Sequence, residues 1–372
     1  MKNKIAFFRV WANPPIAKSV ANLLQTTFPE YEVFIIDIAK MIRGDLVIAA
    51  INSLAVFLMY GFDIVTGKRS FNNCFWRTPF IFRQIKKLAA RKTIEEECVF
   101  SFQLGSLFDA SVKNIPHFMY TDHTHLENLN YANYESDPLY SSRWIKLEKS
   151  AYQNATMVFT RSSNITRSLI EQYDVNNEKI ACVYMGINAI PSSGEQNNDD
   201  YQNKNILFVG GSWERKGGAD LVNAFEIVLQ AHPDACLTIV GCDPQIDIPN
   251  SHVVGKTLLD KVSYYYERAS VFCLPTYREP FGAVFIEAFS YKLPVVATNI
   301  GAIPDFVLND ENGYTVDPGD VEGLAGALLW LISSPEKCKL FGERGKALVD
   351  DRYNWEAVGV AMRENISFII KI

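Results

Sequence analysis

The stretch Glu279-Pro-Phe-Gly-Ala-Val-Phe-Ile-Glu287 places a carboxylate at each end of a segment that crosses from a loop into a predicted helix. The run Val271-Phe-Cys-Leu-Pro275 before it is apolar throughout and predicts a buried strand, whereas Phe281 to Tyr291 has apolar side chains at helical spacing. Strand, loop and helix in this order are typical of anion sites. The first N–H groups of a helix have no intrahelical partners and carry partial positive charge.

The residue types in this stretch fit a sugar joined to a nucleoside diphosphate. Glu279, on the loop, is expected to accept a hydroxyl of the sugar. Glu287, inside the helix, is expected to accept both hydroxyls of a ribose, because an ionised carboxylate is an acceptor only. The backbone at Phe281, Gly282 and Ala283 is expected to approach the ligand. Judged by spacing alone, two ordinary solvated glutamates remain an equal interpretation.

A second glycine-bracketed turn, Gly210-Gly-Ser-Trp-Glu-Arg-Lys-Gly-Gly218, lies between a predicted strand at Asn205–Val209 and a predicted helix at 219–231. Arg215 and Lys216 inside it are expected to bind a diphosphate, because a guanidinium beside an ammonium neutralises phosphate charge and stabilises it as it develops. A charged surface turn that caps a helix is the competing interpretation.

These motifs resemble the E-x7-E motif and donor-phosphate turn of the retaining family 4 glycosyltransferases. The resemblance covers nearly all of residues 204–357, including Gly301-Ala-Ile-Pro-Asp305 and Asn312 to Asp320. It implies the α/β GT-B fold, with two Rossmann-like domains whose parallel sheets face an interdomain cleft. It also implies metal-independent transfer with retention, no cofactor, and a nucleotide-diphospho-sugar as co-substrate. In the family, the lysine that matches Lys216 contacts the donor phosphate. Gly211 stands where many members have an arginine, and this leaves open whether Arg215 takes over that role.

The first half offers one candidate cluster, Tyr120-Thr-Asp-His-Thr-His125, at the end of a predicted strand. A similar His-Thr pair in the family implies that Asp122, His123 and Thr124 lie on the acceptor side. His123, Lys216 and Glu279 are then the predicted catalytic residues. Asp122, His123 and His125 lack a clear further ligand in the sequence and no Asp-x-Asp is present, so no metal site is predicted. The turn from Trp11 to Pro15 lacks the glycines of many relatives.

Strand candidates alternate with amphipathic stretches along both halves, which predicts parallel sheets with crossover helices. A chain of 372 residues exceeds one ordinary core. The predicted domains are 1–190 and 204–352, separated by a polar linker at 191–203, and a helix at 353–372 that returns to the first domain. The remaining strand candidates are Ile5 to Val10, Tyr31 to Ile38, Val99 to Phe102, His117 to Thr121, Thr156 to Thr160, Cys236 to Val240 and Lys292 to Thr298.

Charge and cysteine content narrow the partners and the location. A net charge of −6 gives no overall attraction to nucleic acid. The seven cysteines have no metal or redox spacing and predict reduced thiols in a cytoplasmic protein. The N-terminus enters a strand without the long apolar region of a secretory signal.

One segment departs from the acidic average. Residues 40–92 hold ten basic and two acidic residues, a local net charge of +8, and include the apolar run Leu46 to Phe62. Four interpretations stay open, namely a buried core helix, a membrane span, peripheral contact with an anionic membrane on its inner face, and a basic cleft for an anionic acceptor.

The sequence therefore predicts transfer of a sugar from a UDP-, GDP- or ADP-linked donor to a carbohydrate or lipid-linked acceptor, as in glycolipid, polysaccharide or other glycoconjugate synthesis. The alternatives are a catalytically silent GT-B homologue that serves as a binding subunit and a GT-B nucleotide-sugar epimerase.

Overall fold

The computed structural model describes residues 3–11, 15–131, 139–187 and 200–371. These residues form two compact units. The first unit holds the described residues of 3–130, 139–184 and 358–371, and the second unit holds 131, 185–187 and 200–357. Most of the predicted linker at 191–203, the end of the first predicted domain at 188–190, and Ala12, Asn13 and Pro14 of the first predicted turn lie outside the described residues.

The first unit is built on a six-stranded parallel sheet in the order β2-β1-β3-β4-β5-β6. Phenylalanines of neighbouring strands pack together in its core, since Phe159 stacks on both Phe102 and Phe118. The elements are β1 Lys4–Arg9, α1 Pro15–Thr27, β2 Glu32–Asp37, α2 Ile38–Gly44, α3 Leu46–Val65, α4 Phe71–Phe75, α5 Pro79–Glu95, β3 Cys98–Leu104, β4 His117–Thr121, α6 Ser142–Asn154, β5 Met157–Thr160, α7 Ser163–Glu171 and β6 Ile180–Cys182.

The second unit is built on another six-stranded parallel sheet, in the order β12-β11-β10-β7-β8-β9. The chain order runs outward in opposite directions from the β7–β10 pair, so this pair is the topological switch point, where open α/β sheets bind ligands at the carboxyl ends of the strands. The elements are β7 Asn205–Val209, α8 Gly218–Ala231, β8 Cys236–Val240, β9 Ser251–Gly255, α9 Leu259–Tyr266, β10 Val271–Leu274, α10 Ala283–Ser290, β11 Val295–Thr298, β12 Gly313–Val316, α11 Val321–Ile332, α12 Pro335–Arg352 and α13 Trp355–Ile370.

The final helix, α13, begins in the second unit and continues in the first from Val358 onward. There it packs on the end of α1. The guanidinium of Arg363 donates to the carbonyl of Thr27 and pairs with Glu30 at 2.8 Å. Gly359 lies so close to Thr27 that a larger residue would collide with it.

Among the described residues, the strands that were not predicted from the sequence are β6, β9 and β12, and each is the outermost strand on one side of its sheet. Their side chains are mostly half-buried or exposed. They therefore lack the continuous apolar run by which a central parallel strand is recognised.

The helix α3 has a surface position that differs from one of the predicted alternatives. Of its side chains only Asn52, Val56 and Tyr60 are buried. The interpretation of Leu46 to Phe62 as a buried core helix is therefore wrong. Among the described residues α3 is the one helix that is long and apolar enough to cross a membrane, judged by length and composition alone.

We expect Ile366→Ala to lower the free energy of unfolding of the first unit by about 2–4 kcal/mol, because this side chain of α13 is fully buried and its loss leaves a cavity. Phe368 is 88% exposed on the same helix, so Phe368→Ala is the control and should stay within about 0.5 kcal/mol of the wild type. Urea unfolding followed by circular dichroism measures both. Equal stability of the two variants would contradict a packing role for α13.

Candidate functional site

The turn after β7 brings the backbone close to β10. Gly217 has a φ of 71°, in the left-handed region, and a Cβ there would collide with the carbonyl oxygen of Pro275. Glycine is therefore required for both conformation and space. Gly217 is also the N-cap of α8 and offers no side chain to the first N–H groups of that helix. The N–H of Gly218 donates to the carbonyl of Trp213 at 3.0 Å, and the next N–H groups of α8 receive no cap from the side chain of the N-cap residue.

The loop after β10 is fastened to this turn by hydrogen bonds. The carbonyl of Arg215 accepts from the backbone N–H of Tyr277 at 3.0 Å and from the hydroxyl of Thr276 at 3.2 Å. In the other direction, the exposed guanidinium of Arg215 donates to the carbonyl of Arg278 at 2.8 Å. The hydroxyl of Tyr277 donates to Asp220 in the first turn of α8 at 2.6 Å. The loops that carry the two sequence motifs are thus joined by hydrogen bonds.

Between these two loops, the ammonium of Lys216 donates to the carboxylate of Glu279. Each residue is only 7% exposed. Burial lowers the pKa of Lys216, and the neighbouring carboxylate opposes that shift. Each charge is therefore the counter-ion that makes burial of the other tolerable.

The backbone beyond Glu279 turns directly into α10. Gly282, the N-cap, has a φ of 91° and no side chain with which to cap the helix. A Cβ at this position would collide with the ring of Phe285. The side chain of Phe281 is buried, and its ring lies 6.2 Å from Phe306, so it anchors the loop while its backbone stays near the helix start. Ala283 is the first residue of α10.

Glu287 lies one turn further along α10 and is half-buried. The hydroxyl of Tyr266 donates to its carboxylate at 3.2 Å, and the ring of Tyr266 stacks on Tyr291 at 5.1 Å. Burial raises the pKa of Glu287, and the hydrogen bond from Tyr266 opposes this shift. Glu287 is held in one orientation by an aromatic pair, Tyr266 and Tyr291, that was not predicted from the sequence.

These features meet at the switch point of the second sheet. Two adjacent strands, β7 and β10, each lead into a helix whose N-terminus carries no side-chain cap. A buried lysine lies between the two loops, and a carboxylate lies on the second helix. Uncapped helix N-termini with a nearby cation bind phosphate groups, and a carboxylate one turn away can accept from a diol.

In the first unit, His123 follows β4 on a loop that several side chains hold in place. Its carbonyl accepts from the hydroxyl of Thr121 at 2.8 Å and from that of Tyr152 at 3.2 Å. Asp122 pairs with the buried guanidinium of Arg161 at 2.8 Å, and that guanidinium lies over the ring of Tyr120. These contacts hold the loop that carries His123 in place.

The next two residues of the cluster are part of this support. Thr124 is fully buried and shares a hydrogen bond of 2.6 Å with Ser168. His125 is also buried, and its Nε2 accepts from the backbone N–H of Tyr140 at 2.8 Å. Within the described residues, no group of three or more histidine, cysteine, aspartate or glutamate side chains is arranged to hold a metal ion.

Glu148 of α6 connects these supports and was not predicted from the sequence. Its buried carboxylate accepts from the hydroxyl of Ser106 at 2.8 Å, from the backbone N–H of His125 at 3.3 Å and from the hydroxyl of Tyr173. Tyr173 in turn accepts from the backbone N–H of Leu126 at 3.0 Å. The glutamate lies 23 residues from His125 along the chain, and no local pattern signals their contact.

Known structures share this architecture over the whole chain. Sucrose-phosphate synthase from Thermosynechococcus elongatus aligns with a TM-score of 0.70 and 16% sequence identity, covering 99% of each chain. HepE of Anabaena, solved in complex with UDP and glucose, aligns with a TM-score of 0.65 and 14% identity, covering 98% of this chain and 99% of that chain. The protein has the GT-B fold, as predicted.

Residues 203–334 match the family model described as glycosyl transferases group 1. The phosphatidyl-myo-inositol mannosyltransferase of Propionibacterium freudenreichii subsp. shermanii is 31% identical over 158 residues, which cover 41% of this chain and 41% of that relative. The chain spans less than half the length of several curated relatives that it matches. This part of the chain is similar to glycosyl transferases group 1, in agreement with the predicted family.

The pH dependence of stability tests the Glu148 cluster, which consists of Glu148, Ser106, Tyr173 and the backbone of His125 and Leu126. Burial raises the pKa of Glu148 from 4.5 to about 7. The folded state holds the carboxyl proton of Glu148 more tightly than the unfolded state does. Protonated Glu148 therefore makes its full contribution to the free energy of unfolding below about pH 4.5. This contribution is lost as the pH rises through about 7, a change on the order of 3 kcal/mol. Burial lowers the pKa of His117 from 6.5 to about 4, which gives the opposite slope over that range and masks part of the effect in the wild type.

The wild type loses this contribution as the pH rises, whereas a glutamine does not titrate. When the pH is raised from 5 to 8, we therefore expect the free energy of unfolding of Glu148→Gln to increase by about 2–3 kcal/mol relative to that of the wild type. Urea unfolding at several pH values measures the difference. His117 contributes equally to both proteins and cancels. A difference that does not vary with pH would show that Glu148 titrates as an ordinary glutamate.

Proposed function

We propose that the protein is a retaining glycosyltransferase that moves a sugar from a nucleotide-diphospho-sugar to an acceptor hydroxyl. The observation that carries this proposal is the Lys216–Glu279 pair, placed between the two uncapped helix N-termini at the β7–β10 switch point. The match of residues 203–334 to glycosyl transferases group 1 supports the same reaction class.

The donor is bound by the second unit. Its diphosphate contacts Lys216, Arg215 and the N–H groups at the start of α10, where the charge and the helix dipole favour an anion. Its ribose hydroxyls donate to Glu287, which Tyr266 holds in place. Glu279 accepts from a hydroxyl of the transferred sugar.

Binding of the donor changes the partners of the central ion pair. The diphosphate is a stronger counter-ion for the Lys216 ammonium than a single carboxylate, and it competes with Glu279 for that ammonium. Glu279 then turns its acceptor oxygens to the sugar. As the bond to the sugar breaks, negative charge grows on the leaving phosphate, and Lys216 stabilises this charge.

The chemical step follows from the family resemblance. The acceptor hydroxyl attacks the anomeric carbon from the side of the departing phosphate, the bond between that carbon and the phosphate oxygen breaks, and the hydroxyl proton passes to the phosphate. This route requires no enzymic nucleophile. His123 acts on the acceptor side, on a loop fixed by Thr121, Tyr152 and the Glu148 cluster.

Relatives suggest which substrates to test first. A structural neighbour binds UDP and glucose, which makes UDP-sugars the leading donors. A sequence relative is named as a mannosyltransferase that uses phosphatidyl-myo-inositol, which makes lipid-linked acceptors a leading class beside soluble carbohydrates.

Release of nucleotide from UDP-, GDP- and ADP-sugars, with soluble carbohydrates and lipid extract as acceptors, measures the activity. We expect Lys216→Ala to lower kcat/KM at least about 100-fold, mainly through kcat, because it removes stabilisation of the leaving charge.

We expect Glu287→Ala to raise KM more than about 10-fold with a smaller change in kcat, because the ribose is held equally in the ground and transition states.

Matched controls lie on α12, where Lys339 and Glu343 are exposed. Lys339→Ala and Glu343→Ala should keep wild-type rates. Lys216→Gln keeps a hydrogen-bond donor for Glu279 and separates loss of activity from loss of fold. If the wild type neither binds nor releases any nucleotide, the silent binding subunit replaces this proposal. If it isomerises the donor sugar without an acceptor, the epimerase replaces it.

A further inference from the structure

The helix α3 presents an unusually apolar surface. Side chains on consecutive turns are exposed, with Leu58 at 79% and Phe62 at 76%. Single exposed apolar residues are common, but a continuous face along a whole helix marks an interaction surface. The exposed apolar face consists of Leu46, Val47, Ile51, Leu54, Phe57, Leu58, Met59, Phe62 and Val65.

The opposite stripe of α3 fastens the helix to the first unit. Asn52, Val56 and Tyr60 recur every fourth residue and are all buried. The amide of Asn52 donates to the carbonyl of Phe75 at 2.8 Å and accepts from the hydroxyl of Thr78. The hydroxyl of Tyr60 donates to the carbonyl of Arg77 at 2.9 Å.

This arrangement differs from that of an ordinary surface helix, since the polar side chains of Asn52 and Tyr60 face the protein while the exposed face is apolar. It also argues against a membrane span. A spanning α3 would have to release the hydrogen bonds of Asn52 and Tyr60 and expose both groups to hydrocarbon, where unpaired polar groups are costly. The helix suits a position in which only one face meets an apolar medium.

The charges around α3 identify that medium. Lys40 and Arg43 precede the helix and Lys68 follows it, all three are exposed, and the described residues provide no ion-pair partner for them. Asp63 is the single acid within α3, and it pairs with Arg69 at 3.0 Å. Exposed cations thus bracket both ends of a helix roughly 30 Å long. An apolar face between cations fits an anionic bilayer surface, with the cations among the headgroups.

We propose that α3 lies in the plane of an anionic lipid bilayer, with its exposed apolar face among the upper acyl chains and Lys40, Arg43 and Lys68 at the headgroups. This surface does not depend on the proposed sugar transfer. It holds the first unit, which carries the His123 loop, against a membrane where lipid-linked acceptors are concentrated.

Flotation of the full chain with vesicles tests the proposal. We expect binding to vesicles of phosphatidylglycerol and phosphatidylcholine, and much weaker binding to phosphatidylcholine alone or at high salt. In the double variant Leu58→Asp with Phe62→Asp, binding should weaken at least about tenfold, because charges replace two apolar side chains that contact the acyl chains. Phe368→Asp, at an equally exposed apolar site on α13 of the same unit, is the control and should bind as the wild type does.

A second variant does not alter the apolar face. Replacing Lys40, Arg43 and Lys68 by glutamine should weaken binding to the anionic vesicles and remove its dependence on salt. Circular dichroism and nucleotide release from a donor with a soluble acceptor report the fold and the donor site of each variant. Lys216→Ala should still bind vesicles, so failure of the sugar-transfer proposal and failure of this one are distinguishable.

Three outcomes would overturn the proposal. In the first, the wild type does not bind anionic vesicles. In the second, the double variant Leu58→Asp with Phe62→Asp binds them as well as the wild type does. In the third, the wild type does not float but is a dimer by light scattering while the double variant is a monomer, which would assign the exposed face of α3 to a second copy of this chain.

Discussion

The second unit depends on one buried ion pair, formed by Lys216 and Glu279. Two opposite charges taken out of water are tolerable only together, so the turn that carries the lysine and the loop that carries the glutamate must stay in register. The close approach of Gly217 to Pro275 and the hydrogen bonds at the carbonyl of Arg215 provide that register. In the proposed complex the diphosphate replaces Glu279 as the counter-ion of Lys216, and a sugar hydroxyl donates to the Glu279 carboxylate in place of the ammonium.

Much of this unit could be predicted from the sequence because its information is local. Central parallel strands such as β7, β8 and β10 are short apolar runs, and their predicted bounds agree with the structure. The glycine-bracketed turn and the two glutamates follow those strands directly, so strand order alone brings them to one edge. The GT-B fold was correctly predicted, and the match of residues 203–334 to glycosyl transferases group 1 agrees with the predicted family. The roles of His123, Arg215 and Glu287 stay predictions.

The remainder could not be predicted because it depends on contacts between distant residues. Tyr266 reaches Glu287, Glu148 reaches His125, and Arg161 reaches Asp122, each across many positions without a shared motif. Edge strands such as β9 lack the apolar run of central strands because one side meets solvent. For α3, composition alone fits a core helix as well as a surface helix. The burial of Asn52 and Tyr60 and their hydrogen bonds show which face is turned inward.

The helix α13 has a consequence for synthesis of the chain. Arg363 binds the end of α1, where its partner Thr27 lies 336 residues earlier. On the ribosome the first unit therefore emerges early with its α1 surface uncovered, and it waits for the whole second unit before its last helix arrives. Domains usually fold as units in the order of their synthesis. Here the half that begins first is completed last, and the two halves cannot be separated as consecutive fragments without leaving the first one unfinished.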